Sequence, residues 1–167
     1  TGEKLIASSQ YEADFFQKSK KIPPNDNLLL DYTKKGKAIS QIKIKLAAKK
    51  MNQALRSNVL SISFENQQTV WVPLGEFFGT GYQIHSSNTW FTKVAETGEM
   101  EASWIMPFKN SAKIEILNYG DQEVEAELEV YFIDYKWKKS SMYFGVSWHE
   151  LNQIHTATDP EIENHEW

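Results

Sequence analysis

The sequence holds few groups of side chains that could do chemistry, and the first is a carboxylate in a glycine-rich segment. Residues 70–81 read VWVPLGEFFGTG, so Glu76 stands beside Phe77 and Phe78 where a strand would end. Glycine permits backbone angles that other residues avoid, so this segment can bend and hold Glu76 at the mouth of a loop. A carboxyl group held among apolar side chains suits the role of a general acid. The alternative, which composition favours, is a bulge at the strand end with a solvated glutamate.

A second group of carboxylates follows at Glu99 and Glu101, which would point to the same side of a strand. Glycoside hydrolysis uses two carboxyl groups about 5–10 Å apart. Glu76 with Glu101 is the one catalytic pairing that the sequence suggests. The pattern favours the alternative, in which Glu99 and Glu101 lie on a solvent face and the apolar residues after them form core.

Aromatic side chains could bind a sugar, because the C–H faces of sugar rings stack on aromatic planes. The chain has six tryptophans. Trp90 and Phe91 are the best candidates, since they fall in a long loop over residues 79–98 and such loops are usually functional or contact-making. Three other tryptophans are more typical of a core: Trp71, Trp104 and Trp148.

The histidines give no metal motif, because no two of them have the spacing of a zinc protease site. His149, beside Trp148, could orient a substrate, although a solvated histidine at a strand end fits better. The sequence has no cysteine, and it has no phosphate loop or nucleophile elbow. It therefore predicts no metal site and no cofactor.

The elements that must position these side chains are β-strands. Residues 123–132 alternate four glutamates with five apolar side chains, which predicts a strand with one core face and one solvated face. The same period recurs at residues 42–46, 60–64 and 112–116. Helix is scarce, with weak patterns over residues 4–18 and 47–55.

Turn-forming residues at 65–68 and 118–121 predict two hairpins between these strands. One-sided alternation is typical of antiparallel sheets that share a core. The sequence therefore predicts an all-β fold, an antiparallel β-sandwich of jelly-roll type with little helix.

The composition describes one globular domain of 167 residues. Residues 1–27 are interpreted as a lead-in, 28–150 as the jelly roll, and 151–167 as a polar segment cut in mid-element. The net charge of -4 argues against a nucleic-acid partner, and no apolar run reaches the roughly 18 residues of a membrane helix. No signal peptide opens the sequence, so a periplasmic, secreted or cytoplasmic location stays open.

Four segments occur in an order that carries a family resemblance. They are QALRS at 53–57, VWVPLGEFFGTG at 70–81, MPFKNSAKI at 106–114 and YFGVSWH at 143–149. The series resembles glycoside hydrolase family 172, formerly a domain of unknown function, whose members include α-D-fructofuranosidases and difructose dianhydride I synthases. The resemblance implies part of an enzyme that acts on furanosides in fructose- or arabinose-containing glycans, through two carboxylates and with retention of configuration.

The resemblance also implies that the main catalytic glutamates lie beyond this chain, which alone would be inactive. Family chains are longer, look like two jelly rolls in tandem, and assemble into trimers or hexamers. Their catalytic glutamate is expected in a later GTGTEDY-type motif that this sequence lacks. Trp71, Glu76, Phe78 and the loop of Trp90 would help to form the wall of the pocket or a subunit interface.

The resemblance weakens a catalytic role for both candidate glutamates. The family often has aspartate at Glu76 and an amide at Glu101, which suits structural or substrate-contacting groups. Two alternatives stay open, a non-catalytic carbohydrate-binding β-sandwich and a structural or oligomerisation module. The first is suggested by the aromatic content, and the second by the aromatic side chains of the long loop.

Overall fold

Two β-sheets pack face to face in the computed structural model, which describes residues 14–150. The strands are β1 Asp14–Ile22, β2 Asn27–Thr33, β3 Lys37–Ala47, β4 Asn58–Phe64, β5 Gln67–Pro73, β6 Ser87–Asn88, β7 Thr92–Val94, β8 Glu99–Ala102, β9 Met106–Phe108, β10 Ser111–Asn118, β11 Val124–Asp134 and β12 Val146–Ser147. The two short helices are α1 Met51–Ser57 and α2 Leu74–Phe77.

The strand order is that of a jelly roll. Sheet A has the order β1-β11-β3-β8-β7-β6, with β9 also paired to β3, and sheet B has the order β12-β5-β4-β10-β2. The eight main strands thus form two four-stranded layers, β1-β11-β3-β8 and β2-β10-β4-β5, and the chain passes repeatedly from one layer to the other. The predicted all-β jelly-roll sandwich with little helix is confirmed.

The core lies between the sheets and is built from the alternating apolar residues that the sequence shows. In β10 and β11 every second side chain is buried. Aromatic rings connect the layers, because Tyr32 of sheet B stacks on Phe132 of sheet A at 3.9 Å. Phe64 of sheet B stacks on Phe108 of sheet A at 6.0 Å.

The first predicted hairpin is confirmed and the second is wrong. β4 and β5 pair through a tight turn in which Glu65 and Asn66 have φ of 53° and 65°. β10 and β11, by contrast, lie in different sheets. Alternation shows which face of a strand is buried but not which sheet the strand joins. At the end of β10, where the chain passes to the other sheet, the buried Asn118 amide donates hydrogen bonds to Ile22 O and Gln122 O.

The lead-in predicted before residue 28 contains a strand of the sandwich. β1 pairs along its whole length with β11, from Asp14 opposite Phe132 to Ile22 opposite Val124. The weak helix pattern over residues 4–18 is therefore wrong for residues 14–18, while residues 4–13 lie outside the described part. The predicted polar segment 151–167 also lies outside the described residues.

The sequence does not reveal β1 because charged Lys18 and Lys20 separate the two apolar inward residues, Phe16 and Ile22. Only Ile22 is buried in this strand. Lys18 and Lys20 point toward sheet B instead and donate to the carbonyl oxygens of Leu29 and Asn27 on β2, each at 2.7 Å. A strand held in this way leaves no apolar period to detect.

Candidate functional site

The outer face of sheet A gathers polar side chains into rows that run across the strands. The buried neighbours of these residues on each strand point into the core, so the residues themselves point outward. The first polar row contains, in spatial order, Gln17, Glu129, Lys43, Glu101 and Lys93. The second polar row contains Ser19, Glu127, Lys45 and Glu99. Glutamate and lysine therefore alternate from strand to strand, while each strand carries charges of one sign.

A depression of about 270 Å³ lies over these two rows. Its floor includes the Lys43 and Lys45 side chains, whose ammonium groups lie 3.8 Å from Glu101 and 3.7 Å from Glu99. These distances are long for ion pairs, and both lysines are partly exposed. The charged groups can therefore still bond to a ligand.

An aromatic row borders the first polar row on the same face. It contains, in spatial order, Phe15, Tyr131, Gln41, Ser103 and Phe91. The Phe15 and Tyr131 rings lie 4.8 Å apart on β1 and β11. Phe91 occupies the other end, where its carbonyl accepts a hydrogen bond from the Ser103 N–H at 2.8 Å. Aromatic residues thus lie at both ends of this row, and Gln41 and Ser103 between them form its polar centre.

Hydrogen bonds fix the polar centre of the aromatic row. The Gln41 amide donates to Glu101 Oε1 at 2.6 Å and to Ser103 Oγ at 3.2 Å. The Tyr131 hydroxyl donates to Glu129 Oε2 at 3.2 Å. Partial burial raises the pKa of Tyr131, the Lys43 ammonium opposes that shift, and the Glu129 carboxylate adds to it. The hydroxyl therefore remains a donor at neutral pH.

Glu76, the first candidate from the sequence, lies in helix α2 with its side chain exposed. The predicted bend is present, because the Gly75 carbonyl accepts from the N–H groups of Thr80 and Gly81 at 2.8 and 2.9 Å. A Cβ at Gly75 would lie only 1.7 Å from the Gly81 oxygen. The glycine motif therefore serves a tight turn, which leaves Glu76 in solvent.

Phe78 turns into the core from the same motif and is completely buried. Its ring lies 5.0 Å from that of Phe77, which in turn packs on Trp104 at 5.1 Å. A ligand would have to open the core to touch Phe78. Phe78 thus packs in the core of the described part of the chain, and its contact with a substrate stays a prediction.

Glu101 lies on the outer face of sheet A, beside Glu99, as their shared parity predicts. Its contacts go to Gln41 and Lys43. Among the contacts that the structure describes for residues 14–150, none joins Glu101 to Glu76. Glu101 is thus held by its neighbours on sheet A, and Glu76 lies on α2.

The remaining aromatic candidates lie in two different places. The loop over residues 79–98 contains the hairpin β6–β7, and Trp90 at its tip is 89% exposed. The Thr89 hydroxyl accepts from the Thr92 and Phe91 N–H groups at 2.9 and 3.3 Å, which orders this tip. Trp71 lies on sheet B with its ring 6.5 Å from that of Trp148. His149 follows β12 and is exposed at that edge of sheet B.

A family model described as GH172 domain-like matches residues 12–130. The chain belongs to this family. The match runs from just before β1 into β11, so the GH172 domain-like region includes the polar rows of sheet A. No curated protein matches the chain. The family relationship is therefore with glycoside hydrolases, as the sequence motifs suggested.

Within residues 14–150, no group of three or more histidine, aspartate or glutamate side chains could hold a metal ion. No helix in that same range has the length and apolar character needed to cross a membrane.

Sequence reasoning missed most of the aromatic row and the polar rows. Gln41, Lys43, Glu129 and Tyr131 stand at the outward positions of strands, where alternating polar residues read as an ordinary solvated face. They are brought together by the register of β3 with β11, in which Gln41 lies opposite Tyr131 and Lys43 opposite Glu129 although these partners are far apart in sequence. The only local signal was Tyr131, an aromatic residue where the preceding outward positions hold glutamate.

Proposed function

We propose that this chain is the jelly-roll domain of a glycoside hydrolase that acts on furanosides in fructose- or arabinose-containing glycans. The family match over residues 12–130 carries this proposal. The main catalytic glutamates would lie outside this chain, since glycoside hydrolysis needs two carboxyl groups flanking one bond. The absence of a GTGTEDY-type segment from this sequence, where the family resemblance places the catalytic glutamate, supports that assignment.

Glu101 suits a substrate-contacting role better than proton transfer. Gln41 engages one of its oxygens at 2.6 Å, and Lys43 lies 3.8 Å from the other. A carboxylate held in this way can still accept hydrogen bonds from sugar hydroxyl groups. Glu76, exposed on α2, would contact substrate only where the remainder of the enzyme meets this turn.

The test compares the natural full-length protein with the 167-residue chain. Both are assayed with 4-nitrophenyl α-D-fructofuranoside, α-L-arabinofuranoside and α-D-glucopyranoside. We expect the full-length protein to cleave a furanoside but not the pyranoside, and the chain alone to release no nitrophenol. Furanosides left intact by the full-length protein would refute the activity, and turnover by the chain alone would refute the location of the catalytic groups.

A second candidate function is a non-catalytic carbohydrate-binding sandwich. The observation that favours it is the aromatic row, in which Phe15 and Tyr131 at one end and Phe91 at the other flank hydrogen-bonding groups. Sugar binding by the chain, without hydrolysis by the full-length protein, would select this function.

We also propose that the full-length protein forms a homo-oligomer, a trimer or hexamer, as the family resemblance implies. Trp90 and Ile105 support this, because both are large apolar side chains that are at least half exposed. A purely structural or oligomerisation role would leave these contacts as the main function of the domain. Light scattering of the full-length protein tests assembly, and a monomeric mass would contradict it.

A further inference from the structure

We propose that the outer face of sheet A is a cleft that binds an uncharged oligosaccharide lying across the strands. One end of the cleft is formed by Phe15 and Tyr131, and the other by Phe91. The inference rests on the proposed function in one respect, since it takes the ligand to be a carbohydrate. It deepens that function by naming a surface, a direction and a chain length.

The length of the cleft follows from the strand order. The path from Phe15 to Phe91 crosses β1, β11, β3, β8 and β7, which makes four inter-strand steps. At about 4.8 Å a step, the rings at the two ends stand about 19 Å apart. This distance holds about three or four sugar rings, each about one strand spacing long. A monosaccharide could reach only one end.

The charge pattern selects a ligand without net charge. The depression is lined by four glutamates and three lysines, namely Glu99, Glu101, Glu127, Glu129, Lys43, Lys45 and Lys93. An ionic ligand of either sign that lay across the strands would meet like charges, because glutamates on β11 and β8 flank the lysines on β3. Vicinal hydroxyl groups can donate to the carboxylates and accept from the ammonium groups, and such charge-assisted hydrogen bonds are strong.

The face is also ordered before a ligand arrives. Gln41 bonds to Glu101 and Ser103, and Gln17 bonds to Glu127. Side chains that are already fixed lose little further freedom on binding, which favours affinity. Phe15 and Phe91 remain 47% and 54% exposed, so both rings are open to stacking by the C–H faces of sugar rings.

Calorimetry of the whole 167-residue chain tests the proposal. The probes are fructose, the inulin-type oligosaccharides of two to five units, and linear arabino-oligosaccharides of the same lengths. In at least one series we expect affinity to rise up to three or four units and then stay constant. No heat at millimolar concentration of any oligosaccharide would overturn the proposal, and so would equal affinity for the monosaccharide and the tetrasaccharide.

Variants then locate the binding surface. Phe91→Ala removes an exposed side chain at the end of a hairpin and should leave the fold intact, while weakening tetrasaccharide binding about fivefold to tenfold, the size expected for one lost ring contact. Gln41→Ala should weaken it to a similar degree. Tyr119→Ala, an exposed aromatic on the loop after β10, is the matched control and should bind as the unchanged chain does.

Two further outcomes keep this inference separate from the proposed function. Loss of binding in Trp71→Ala with unchanged binding in Phe91→Ala would place the sugar on sheet B and overturn the inference. Furanoside hydrolysis by the full-length protein, combined with no binding by the chain, would leave the proposed function standing and refute the cleft. Circular dichroism of each variant verifies that the fold is retained.

Discussion

At the scale of single residues, two positions in turns carry unusual demands. Gly75 accepts the close approach of the Gly81 carbonyl, and Glu65 holds a neighbouring turn through its carboxylate. Both lie in connections, although the sequence patterns first draw attention to strands. They show that this fold depends on turns as well as on its core.

We expect Gly75→Ala to destabilise the protein by about 3 kcal/mol or more, because a methyl group would collide with backbone that cannot move freely. Gly79→Ala is the matched control. No atom lies within 4 Å of a Cβ added at Gly79, so Gly79→Ala should lower the free energy of unfolding only through its positive φ, by about 1 kcal/mol. Chemical denaturation measures both, and equal losses would show that the contact with Gly81 is unimportant.

Glu65→Gln should cost about 1–2 kcal/mol at neutral pH, because the carboxylate accepts backbone N–H groups of Lys109, Asn110 and Ser111. Partial burial alone would raise the pKa of the Glu65 carboxyl, but these hydrogen bonds outweigh it and lower the pKa. The Glu65 carboxylate therefore stabilises the folded protein fully at pH values above its pKa in the unfolded chain. This stabilisation is lost as pH falls through its lower pKa in the folded protein.

Denaturation at several pH values between about 6 and 2 measures this contribution of Glu65, since unfolded carboxyl groups titrate near 4. The difference in the free energy of unfolding between the original protein and Glu65→Gln should decrease to zero as pH falls. Glu123→Gln, at an exposed position before β11, serves as the control and should show no such difference. A difference for Glu65→Gln that stays constant with pH would contradict the role of the charge.

At the scale of elements, β1 differs from the other long strands because charged groups anchor it. The Lys37 side chain, only 5% exposed, contacts Asp14 at 3.1 Å and Asp134 at 2.8 Å. The Tyr32 hydroxyl donates to the same Asp14 carboxylate at 2.6 Å, and Lys34 lies 3.0 Å away. The first residue of β1 is thus tied to β2, to β3 and to the connection between them.

Asp14→Asn should loosen β1 more than any other strand. Hydrogen bonds from Tyr32, then Lys34 and Lys37, lower the pKa of the Asp14 carboxyl far below its usual range. The Asp14 carboxylate therefore stabilises the folded protein fully at pH values above its pKa in the unfolded chain, and this stabilisation declines as pH falls through its pKa in the folded protein. We expect faster amide exchange in β1 at neutral pH, with β4 unchanged, and a smaller loss of stability on acidification than in the original protein.

Hydrogen-exchange mass spectrometry of peptides from β1 and β4 checks this expectation. Asp31→Asn, an exposed position on β2, is the matched control. Equal acceleration in β1 and β4 would indicate a global loss of stability, and would contradict a local anchor at Asp14.

The elements also show how far the sequence alone can reach. Regular alternation reveals strands such as β10 and β11, because their inward residues are apolar, and it is sufficient to predict the sandwich. It does not reveal β1, whose inward lysines bond to β2, and it misassigns the β10–β11 connection. The aromatic row escapes prediction for a related reason, since only sheet register brings Gln41, Tyr131 and Phe91 onto one line.

At the scale of the whole molecule, aromatic contacts join the two sheets, so we expect them to unfold together. Phe108 of sheet A packs against Phe64 and Tyr32 of sheet B and against Phe132 of its own sheet. We expect Phe108→Ala to lower the free energy of unfolding by about 3–5 kcal/mol, as for other buried aromatics, while the transition stays cooperative. Thermal denaturation followed by both far- and near-ultraviolet circular dichroism would detect separate sheet transitions, which would contradict this view.

The pairing of β1 with β11 has a consequence for biosynthesis. Residues 22 and 124 are the pair of partners nearest in sequence, so β1 leaves the ribosome about a hundred residues before its partner strand. At about 5–20 residues a second, translation of the intervening segment takes about 5–20 s. Throughout that interval the nascent strand offers an unpaired backbone to other chains. Its many lysines then serve a second purpose, since charge on an unpaired strand discourages association before the sheet is complete.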